Sequence, residues 1–374
     1  MTKVLIISLI ILAGVSAVFG RARQVVPKVS DYTYQINHKS IMWPGKDTMD
    51  VFTKSGRHDR KSIIATKLQL FEDQIFLAFP RFKPGVPITL GVIKQGDKCG
   101  YDAFPCWALQ EEGNCEALQN VVDIAVDDHG ILWALDTGIV NTLTQPVFRC
   151  DPKVVGIDVR SKQVVKVINL NHLIIGTSRL QYIIVEYAND GKVYLYISDA
   201  SGRAIIVYDV VGNSGFRVSL PKAVNLGNSK RDVLNMVLVQ KPTCPELYFT
   251  YLSSSRVFSI RTSCLRQGAS GSTDISDVGT KLNSIVLLGT NGGSVIFFRY
   301  KGQADVYLWD TNTTFGPENF VIVQKGDECH LPTSIALGPQ DSLWTLESNF
   351  QDFIQNTISS GGASMIVHPL VKNC

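Results

Sequence analysis

The sequence predicts an all-β fold, a six-bladed β-propeller with four short antiparallel strands in each blade. Three observations support it: a repeated strand core, turn residues between short strands, and few amphipathic helical segments. The cores recur roughly every 50 to 60 residues, which is close to the length of one propeller blade. They are 74–78, 131–135, 193–197, 246–250, 294–298 and 342–346.

The stretch 118–138 shows the repeated unit most clearly. Apolar residues alternate over 122–126, a turn follows at 128–130, and 131–135 returns as a buried strand. Connections of this kind are too short and too rich in glycine for the crossover helices of a parallel α/β fold. Further short strands are expected at 154–159, 164–170, 204–210, 256–260 and 306–309.

Two extended segments lie outside the six cores, Tyr32–Ile36 and Ser364–His368. Because the ring of a propeller usually closes with a strand from the opposite terminus, we predict that these segments pair or share a blade. Large aromatic residues in the repeats are expected to pack between the blades. They are Trp133, Trp344, Tyr194, Tyr248 and Phe297.

The first 20 residues are typical of a secretory signal. Lys3 precedes an apolar run at 4–15, and small residues follow at 16–20. The run is shorter than the roughly 20 residues that a membrane-spanning helix needs. We therefore predict a signal peptide over 1–20 and a secreted, single six-bladed propeller domain over 21–374, without a membrane partner.

The charge balance argues against a nucleic-acid partner. The chain has 36 basic and 33 acidic side chains, and no dense basic patch with interleaved aromatic residues is visible. Asn312-Thr313-Thr314 is a glycosylation sequon and predicts a surface position for Asn312.

All eight cysteines follow the predicted signal, and an even number in a secreted chain favours disulfides. Cys244 and Cys264 are equally distant from the serine turn at 253–255, so a hairpin there would place them opposite each other, and we predict a bond. Cys329 and Cys374 are expected to tie the closing blade. Four others are expected to staple the connection between the first two blades, with their pairing open: Cys99, Cys106, Cys115 and Cys150.

No common catalytic signature is present, and no cofactor or metal is predicted. The six histidines are scattered without the spacing of metal ligands. Asp136, Asp199 and Glu347 each follow a strand core and could bind Ca²⁺ if they converged on the axis, but turn capping is the favoured interpretation. Asp123, Asp136 and Asp199 are the weak candidates for a general base.

The beginnings of the innermost strands predict a polar ring at the mouth of the channel. Such a ring suits a small polar or aromatic ligand, although it supplies no pair of nucleophile and base. The alternative is that these side chains only satisfy the backbone at the rim. The ring comprises Asp123, Gln181, Asn235, Asn283 and Thr333.

Five segments taken in order resemble the insect yellow / major royal jelly protein family. They are 99–107, 118–138, 152–158, 197–200 and 331–334. The resemblance implies a secreted six-bladed propeller. In amine-binding salivary relatives a Thr, an Asn and a Phe of the last blade face the ligand, and Thr333, Asn349 and Phe350 are similar to them.

Three hypotheses about function follow from the residues and the resemblance. The first is a secreted, non-enzymatic protein of cuticle or eggshell pigmentation or hardening that holds a catechol or indole amine in its channel. The second is an enzyme that converts dopachrome by tautomerisation or decarboxylation. The third is a purely structural protein with extracellular matrix or shell components as its partners.

Overall fold

A computed structural model describes residues 32–96, 100–224, 232–268, 274–327 and 329–370. Within these ranges, six four-stranded antiparallel sheets form the blades of a propeller. The first strand of each blade neighbours the first strands of the adjacent blades, so the six inner strands surround the axis. The predicted six-bladed β-propeller is confirmed. The predicted signal segment 1–20 lies outside the described residues.

The first three blades follow one another along the chain, each running from the axis outward. A strand β1 (Tyr34–Ile36) and a helix α1 (Lys46–Lys54) precede them. Blade 1 consists of β2 (Lys67–Phe71), β3 (Gln74–Ala78), β4 (Leu90–Lys94) and β5 (Asp102–Ala103). Blade 2, with an inserted ribbon of β8 and β9, comprises β6 (Val121–Val126), β7 (Ile131–Asp136), β8 (Ile139–Val140), β9 (Val147–Phe148), β10 (Lys153–Asp158) and β11 (Val164–Asn169). Blade 3 consists of β12 (Leu180–Tyr187), β13 (Val193–Asp199), β14 (Ala204–Asp209) and β15 (Ser214–Ser219).

The remaining blades complete the ring. Blade 4 comprises β16 (Leu234–Val239), β17 (Glu246–Tyr251), β18 (Arg256–Arg261), the short helix α2 (Thr262–Arg266) and β19 (Ile275–Thr280). Blade 5 consists of β20 (Ile285–Thr290), β21 (Val295–Tyr300), β22 (Val306–Asp310) and β23 (Phe320–Gln324). Blade 6 contains β24 (Leu331–Leu337), β25 (Leu343–Ser348), the helix α3 (Phe350–Gln355) and β26 (Met365–Pro369). The six predicted cores all lie on second strands, as expected.

The last blade takes its outermost strand from the beginning of the chain. Strand β1 pairs antiparallel with β26, with Tyr34 opposite Val367 and Ile36 opposite Met365. Tyr34 and Ile36 are buried, so the pairing also adds apolar contacts to the core. The predicted pairing of the two terminal segments is confirmed.

The predicted hairpin of blade 2 is held by one aspartate. Asp127 Oδ1 accepts the backbone N–H groups of His129 at 3.0 Å and Ile131 at 2.9 Å. Gly130 adopts φ +83°, a left-handed conformation that glycine adopts without steric cost. Asp127 Oδ2 accepts the indole N–H of Trp133 at 2.9 Å. The turn residue therefore fixes both the loop and the tryptophan.

Aromatic side chains pack where blades meet, as predicted. Trp133 of blade 2 belongs to a buried cluster with Leu195 and Ile206 of blade 3. Tyr248 of blade 4 meets Trp309 of blade 5 edge to face, with 5.7 Å between ring centroids. These contacts join neighbouring sheets that cannot bury both faces alone.

One of the expected staples between blades 1 and 2 is formed. Cys115 and Cys150 are joined by a disulfide, whereas Cys106 is a free thiol. Cys329 is also a free thiol, so the structure does not contain the predicted tie between Cys329 and Cys374, and Cys99 and Cys374 themselves lie outside the described residues.

The predicted bond between Cys244 and Cys264 is not present in the structure. Both are free thiols, and the strand register explains why. Glu246 lies opposite Arg261, one residue away from the register that the symmetric turn suggested. The Sγ of Cys244 therefore meets the hydroxyl of Ser263 at 3.3 Å. Cys264 has already entered α2, which turns away from the ladder.

Removal of the Cys115–Cys150 bond by a double change to alanine should lower the free energy of unfolding by about 2 to 4 kcal/mol. The reason is that the bond spans a sequence separation of 35 residues and restricts the unfolded chain. Urea denaturation of the oxidised protein measures the loss. Cys244→Ala is the matched control. If this variant lowered the free energy of unfolding as much as the double variant does, that result would contradict a free Cys244 thiol.

Candidate functional site

Three inner strands are bulged close to their first residues. The pairing register shifts between Val121 and Asp123 in β6, between Leu180 and Ile183 in β12, and after Pro332 in β24. A bulge redirects the side chains of the extra residues and bends the strand locally. Three of the five residues of the predicted ring, Asp123, Gln181 and Thr333, therefore lie on irregular backbone, whereas Asn235 lies on the regular strand β16.

At the axis, the chain places its own cation between a carboxylate and an aromatic ring. Lys67 Nζ lies 3.7 Å from Asp123 Oδ1 and 3.9 Å from the centroid of the Tyr182 ring. Asp123 also accepts the backbone N–H of Ile183 at 2.8 Å. Burial raises the pKa of Asp123, and Lys67 and the backbone donors oppose that rise. The charge of Asp123 is thus already paired within the protein.

The network continues to blade 4 and ends on an unpaired donor. The hydroxyl of Tyr182 donates to Asn235 Oδ1 at 2.9 Å. Among the described residues, the buried side-chain nitrogen of Asn235 has no hydrogen-bond partner. Asn235 is therefore the member of the predicted ring with capacity left for a ligand.

The other members of the ring mainly satisfy backbone groups. The amide of Gln181 accepts the N–H of Leu234 at 2.9 Å and donates to the carbonyl of Asp232 at 3.3 Å. The hydroxyl of Thr333 donates to the carbonyl of Leu346 at 3.3 Å. Asn283 is exposed in the loop before β20. Gln181 and Thr333 thus satisfy backbone groups at the rim, which is the alternative to ligand binding given above.

Asp136 and Asp199 are fully buried and cap loops. Asp136 accepts the backbone N–H groups of Gln119 and Asn120, each at 2.8 Å. Asp199 accepts the N–H of Arg179 at 2.8 Å and pairs with Arg217 at 2.9 Å. Because these bonds occupy their oxygens, neither carboxylate is placed to act as a general base.

Glu347 is similarly engaged. It accepts a hydrogen bond from the side-chain amide of Gln324 and lies 3.4 Å from His368 Nε2. Over the described ranges, no group of three or more His, Cys, Asp or Glu side chains has the arrangement of a metal site. The structure gives no support to the Ca²⁺ interpretation of Asp136, Asp199 and Glu347.

A cavity of about 410 Å³ lies at one end of blade 6, and we name it the closing-blade cavity. His330 precedes β24, Asn349 follows β25 and Ser364 precedes β26, so three connections meet there. The cavity is lined by Gly302, Cys329, His330, Leu331, Asn349, Gln351, Asp352 and Ser364.

Of the three residues implied by the family resemblance, Asn349 alone is among those that line this cavity. Phe350 opens α3, packs against the core and stacks with Phe353 at 6.3 Å between centroids. Thr333 lies on the bulge of β24. Asn349 is thus placed to contact a ligand in the cavity, whereas Phe350 has a packing role and Thr333 lies on a strand bulge.

Sequence reasoning missed three polar residues at this end of the blade. The Nδ1 of His330 lies 3.2 Å from Asp327 Oδ2, and its Nε2 lies 3.1 Å from the hydroxyl of Ser364. Ser364 is 34 residues away from His330 in the chain. No local motif signals such a contact, since it arises only when the blade folds.

Comparison with known proteins identifies the family. A family model described as Major royal jelly protein matches residues 119–365. The chain belongs to this family. The expected membership of the yellow / major royal jelly protein family is confirmed. Within the family segment lie blades 2 to 5, most of blade 6, and all residues that line the closing-blade cavity.

Two relatives agree with this assignment, and one solved structure shares the fold. Major royal jelly protein 1 of Apis mellifera is 26% identical over 302 residues, covering 73% of this chain and 68% of that protein. Major royal jelly protein 5 of Apis mellifera is 25% identical over 308 residues, covering 76% of this chain but 50% of that protein. A luciferin-regenerating enzyme has a TM-score of 0.51 at 11% identity, covering 83% of this chain and 92% of that chain. That likeness concerns the fold alone.

In this family member, none of the helices within the described ranges is long and apolar enough to cross a membrane.

Lys281, in the loop before β20, should make stability depend on pH. Its ammonium donates to Thr250 Oγ1 at 2.9 Å and to the carbonyl of Tyr251 at 2.8 Å, and burial lowers its pKa to about 8. Between that value and the ordinary 10.5, the unfolded chain binds more protons than the folded chain, so stability rises with pH.

The measurement is the difference in unfolding free energy between the wild type and Lys281→Met, from denaturant titrations at several pH values. From pH 8 upward, the unfolding free energy of the wild type should rise relative to that of the variant, by at most about 1.4 kcal/mol per pH unit. Exposed Lys301→Met serves as the control for loss of a surface charge. A difference that falls as the pH rises would contradict the buried, destabilised ammonium.

Proposed function

We propose that this chain is a secreted protein of cuticle or eggshell pigmentation or hardening that binds a small catechol or indole amine. The proposal places the amine in the closing-blade cavity. The observation that carries it is the presence of a carboxylate, Asp352, and an amide, Asn349, on the wall of one cavity. The role in pigmentation or hardening rests on the resemblance to the yellow / major royal jelly protein family.

The cavity has the size and chemistry for such a ligand. Its volume of about 410 Å³ lies in the range of small-molecule sites. Asp352 can pair with an ammonium group, and charge-assisted hydrogen bonds are stronger than neutral ones. The side-chain NH₂ group of Asn349 can donate a hydrogen bond to a phenolic hydroxyl.

The axial network supports a site at the rim rather than on the axis. Lys67 already covers the Tyr182 ring and faces Asp123, which are the aromatic and acidic groups that an amine would need there. A ligand ammonium on the axis would have to displace this lysine. In contrast, Asp352 lines an open volume and has no cation beside it among the described ion pairs, although its Oδ1 accepts the hydroxyl of Thr357 at 3.2 Å.

Calorimetric titration with dopamine and serotonin tests amine binding. Asp352→Asn should weaken binding about tenfold, since it removes the negative charge that faces the ammonium. Asp341→Asn is the matched control, because Asp341 is exposed in the turn at the opposite end of the same blade. Absence of heat at millimolar amine, or equal weakening by both variants, would contradict the proposal.

Secretion and glycosylation are tested with the full chain in insect cells. Asn312 is exposed in the structure. The secreted protein should begin near Arg21 and shift in mobility on treatment with a peptide N-glycosidase, and Asn312→Gln should abolish that shift. Retention in the cell with an intact amino terminus would contradict secretion.

A further inference from the structure

Asp327, His330 and Ser364 form a chain of hydrogen bonds with the connectivity of a serine nucleophile site. Asp327 Oδ2 faces the Nδ1 of His330 at 3.2 Å, and the Nε2 of the same ring faces Ser364 Oγ at 3.1 Å. Such sites are recognised by this order of roles and by these distances, independently of fold or position in the chain. His330 and Ser364 also line the closing-blade cavity, so a substrate could reach them.

The acid is held by the local backbone. Asp327 Oδ1 accepts the backbone N–H groups of Cys329 at 2.8 Å and His330 at 2.7 Å. Burial raises the pKa of Asp327, but the hydrogen bonds from His330 and Cys329 outweigh it, and the pKa lies below its ordinary value. Asp327 is therefore an anion able to orient the imidazole and stabilise its protonated form.

The serine is held by the end of the neighbouring strand. The backbone N–H of Ser364 donates to Asn349 Oδ1 at 2.9 Å, and its carbonyl accepts the N–H of Asn349 at 3.2 Å. This pairing holds the side-chain amide of Asn349 against the backbone of Ser364. A side-chain amide in such a position is a donor of the kind that stabilises an oxyanion.

A second histidine of the same blade provides an internal comparison. His368 lies 3.4 Å from Glu347, but its other ring nitrogen faces the carbonyl of Pro369 at 2.8 Å. That arrangement offers no nucleophile. The imidazole of His330 instead has a carboxylate on one side and a hydroxyl on the other, and the hydroxyl faces a cavity.

We infer that the protein catalyses the hydrolysis of small carboxylic esters bound in the closing-blade cavity. Ser364 is the nucleophile, His330 is the general base and Asp327 is the positioning residue. Asp352 on the cavity wall favours esters that carry a cationic group. The inference concerns a reaction and does not rest on the amine binding proposed above.

The reaction balances without a cofactor. Ser364 Oγ bonds to the ester carbonyl carbon while His330 accepts the serine proton. Collapse of the tetrahedral intermediate breaks the bond to the alkoxide, which leaves with that proton as an alcohol. Water then attacks the acyl-serine, giving up a proton to His330, and the acid leaves as the proton returns to Ser364.

The first test is labelling of the full-length secreted protein with a fluorophosphonate probe, followed by peptide mapping. The label should lie on Ser364 and be absent from Ser364→Ala. Ser359→Ala is the matched control, since Ser359 is an exposed serine in the same connection between α3 and β26. His330→Gln should slow labelling about a hundredfold or more.

The second test is hydrolysis of p-nitrophenyl acetate. Asp327→Asn should lower kcat about a hundredfold with little change in KM, and Asp327→Glu should restore part of that loss, which a purely structural role would not produce. Near-ultraviolet circular dichroism confirms that each variant is folded.

Absence of the label, a label on another residue, or wild-type labelling of folded His330→Gln would overturn the inference. The outcomes are separable from those for amine binding. Heat from dopamine in a wild type that has no esterase activity and no label on Ser364 would overturn the hydrolysis and leave the amine site. Ester hydrolysis by a wild type that gives no heat with dopamine would contradict the amine site and leave the hydrolysis.

Discussion

The pairing of β1 with β26 is the constraint on which the remaining structure depends. Without β1, blade 6 would have three strands where the other five blades have four, and the core between blades 6 and 1 would lose the buried side chains of Tyr34 and Ile36. By placing Tyr34–Ile36 on the outside of the last blade, the chain ties its two ends into one sheet. The core between blades 6 and 1 is then continuous, with Tyr34, Leu68 and Trp344 in one cluster.

Buried charge explains why the candidate site lies at the rim rather than on the axis. A carboxylate in a low-dielectric interior is stable only when donors or cations surround it. Asp136 and Asp199 meet this requirement through backbone N–H groups, and Asp123 meets it through Lys67. Groups satisfied in this way have little capacity for a ligand. Apart from the side-chain nitrogen of Asn235, the polar side chains that can reach a ligand lie at the strand ends of blade 6, where the connections enclose a volume open to solvent.

The sequence predicts the fold well because the strand repeat is a local signal that recurs six times. The pairing register of the strands and the contacts between distant residues are not predicted by this repeat. The predicted Cys244–Cys264 bond is wrong because the strands pair one residue away from the symmetric register and because α2 begins at Thr262. The symmetry of the turn reveals neither feature. The contact between His330 and Ser364 has no local signal, since the strands β24 and β25 and the helix α3 lie between the two residues in the chain. Asn349 was found through a family resemblance, while Asp352 beside it was not.

The register of the closing blade links its assembly to its chemistry. Ser348 at the end of β25 lies opposite Met365, so the residues just beyond this pair, Asn349 and Ser364, are brought face to face. Leu331 lies opposite Ser348 on the other side, which sets His330 at the same level. A slip of β26 by one residue would move Ser364 away from both partners. Because β1 pairs along β26 and holds it in place, the amino-terminal strand helps to set the distance between His330 and Ser364.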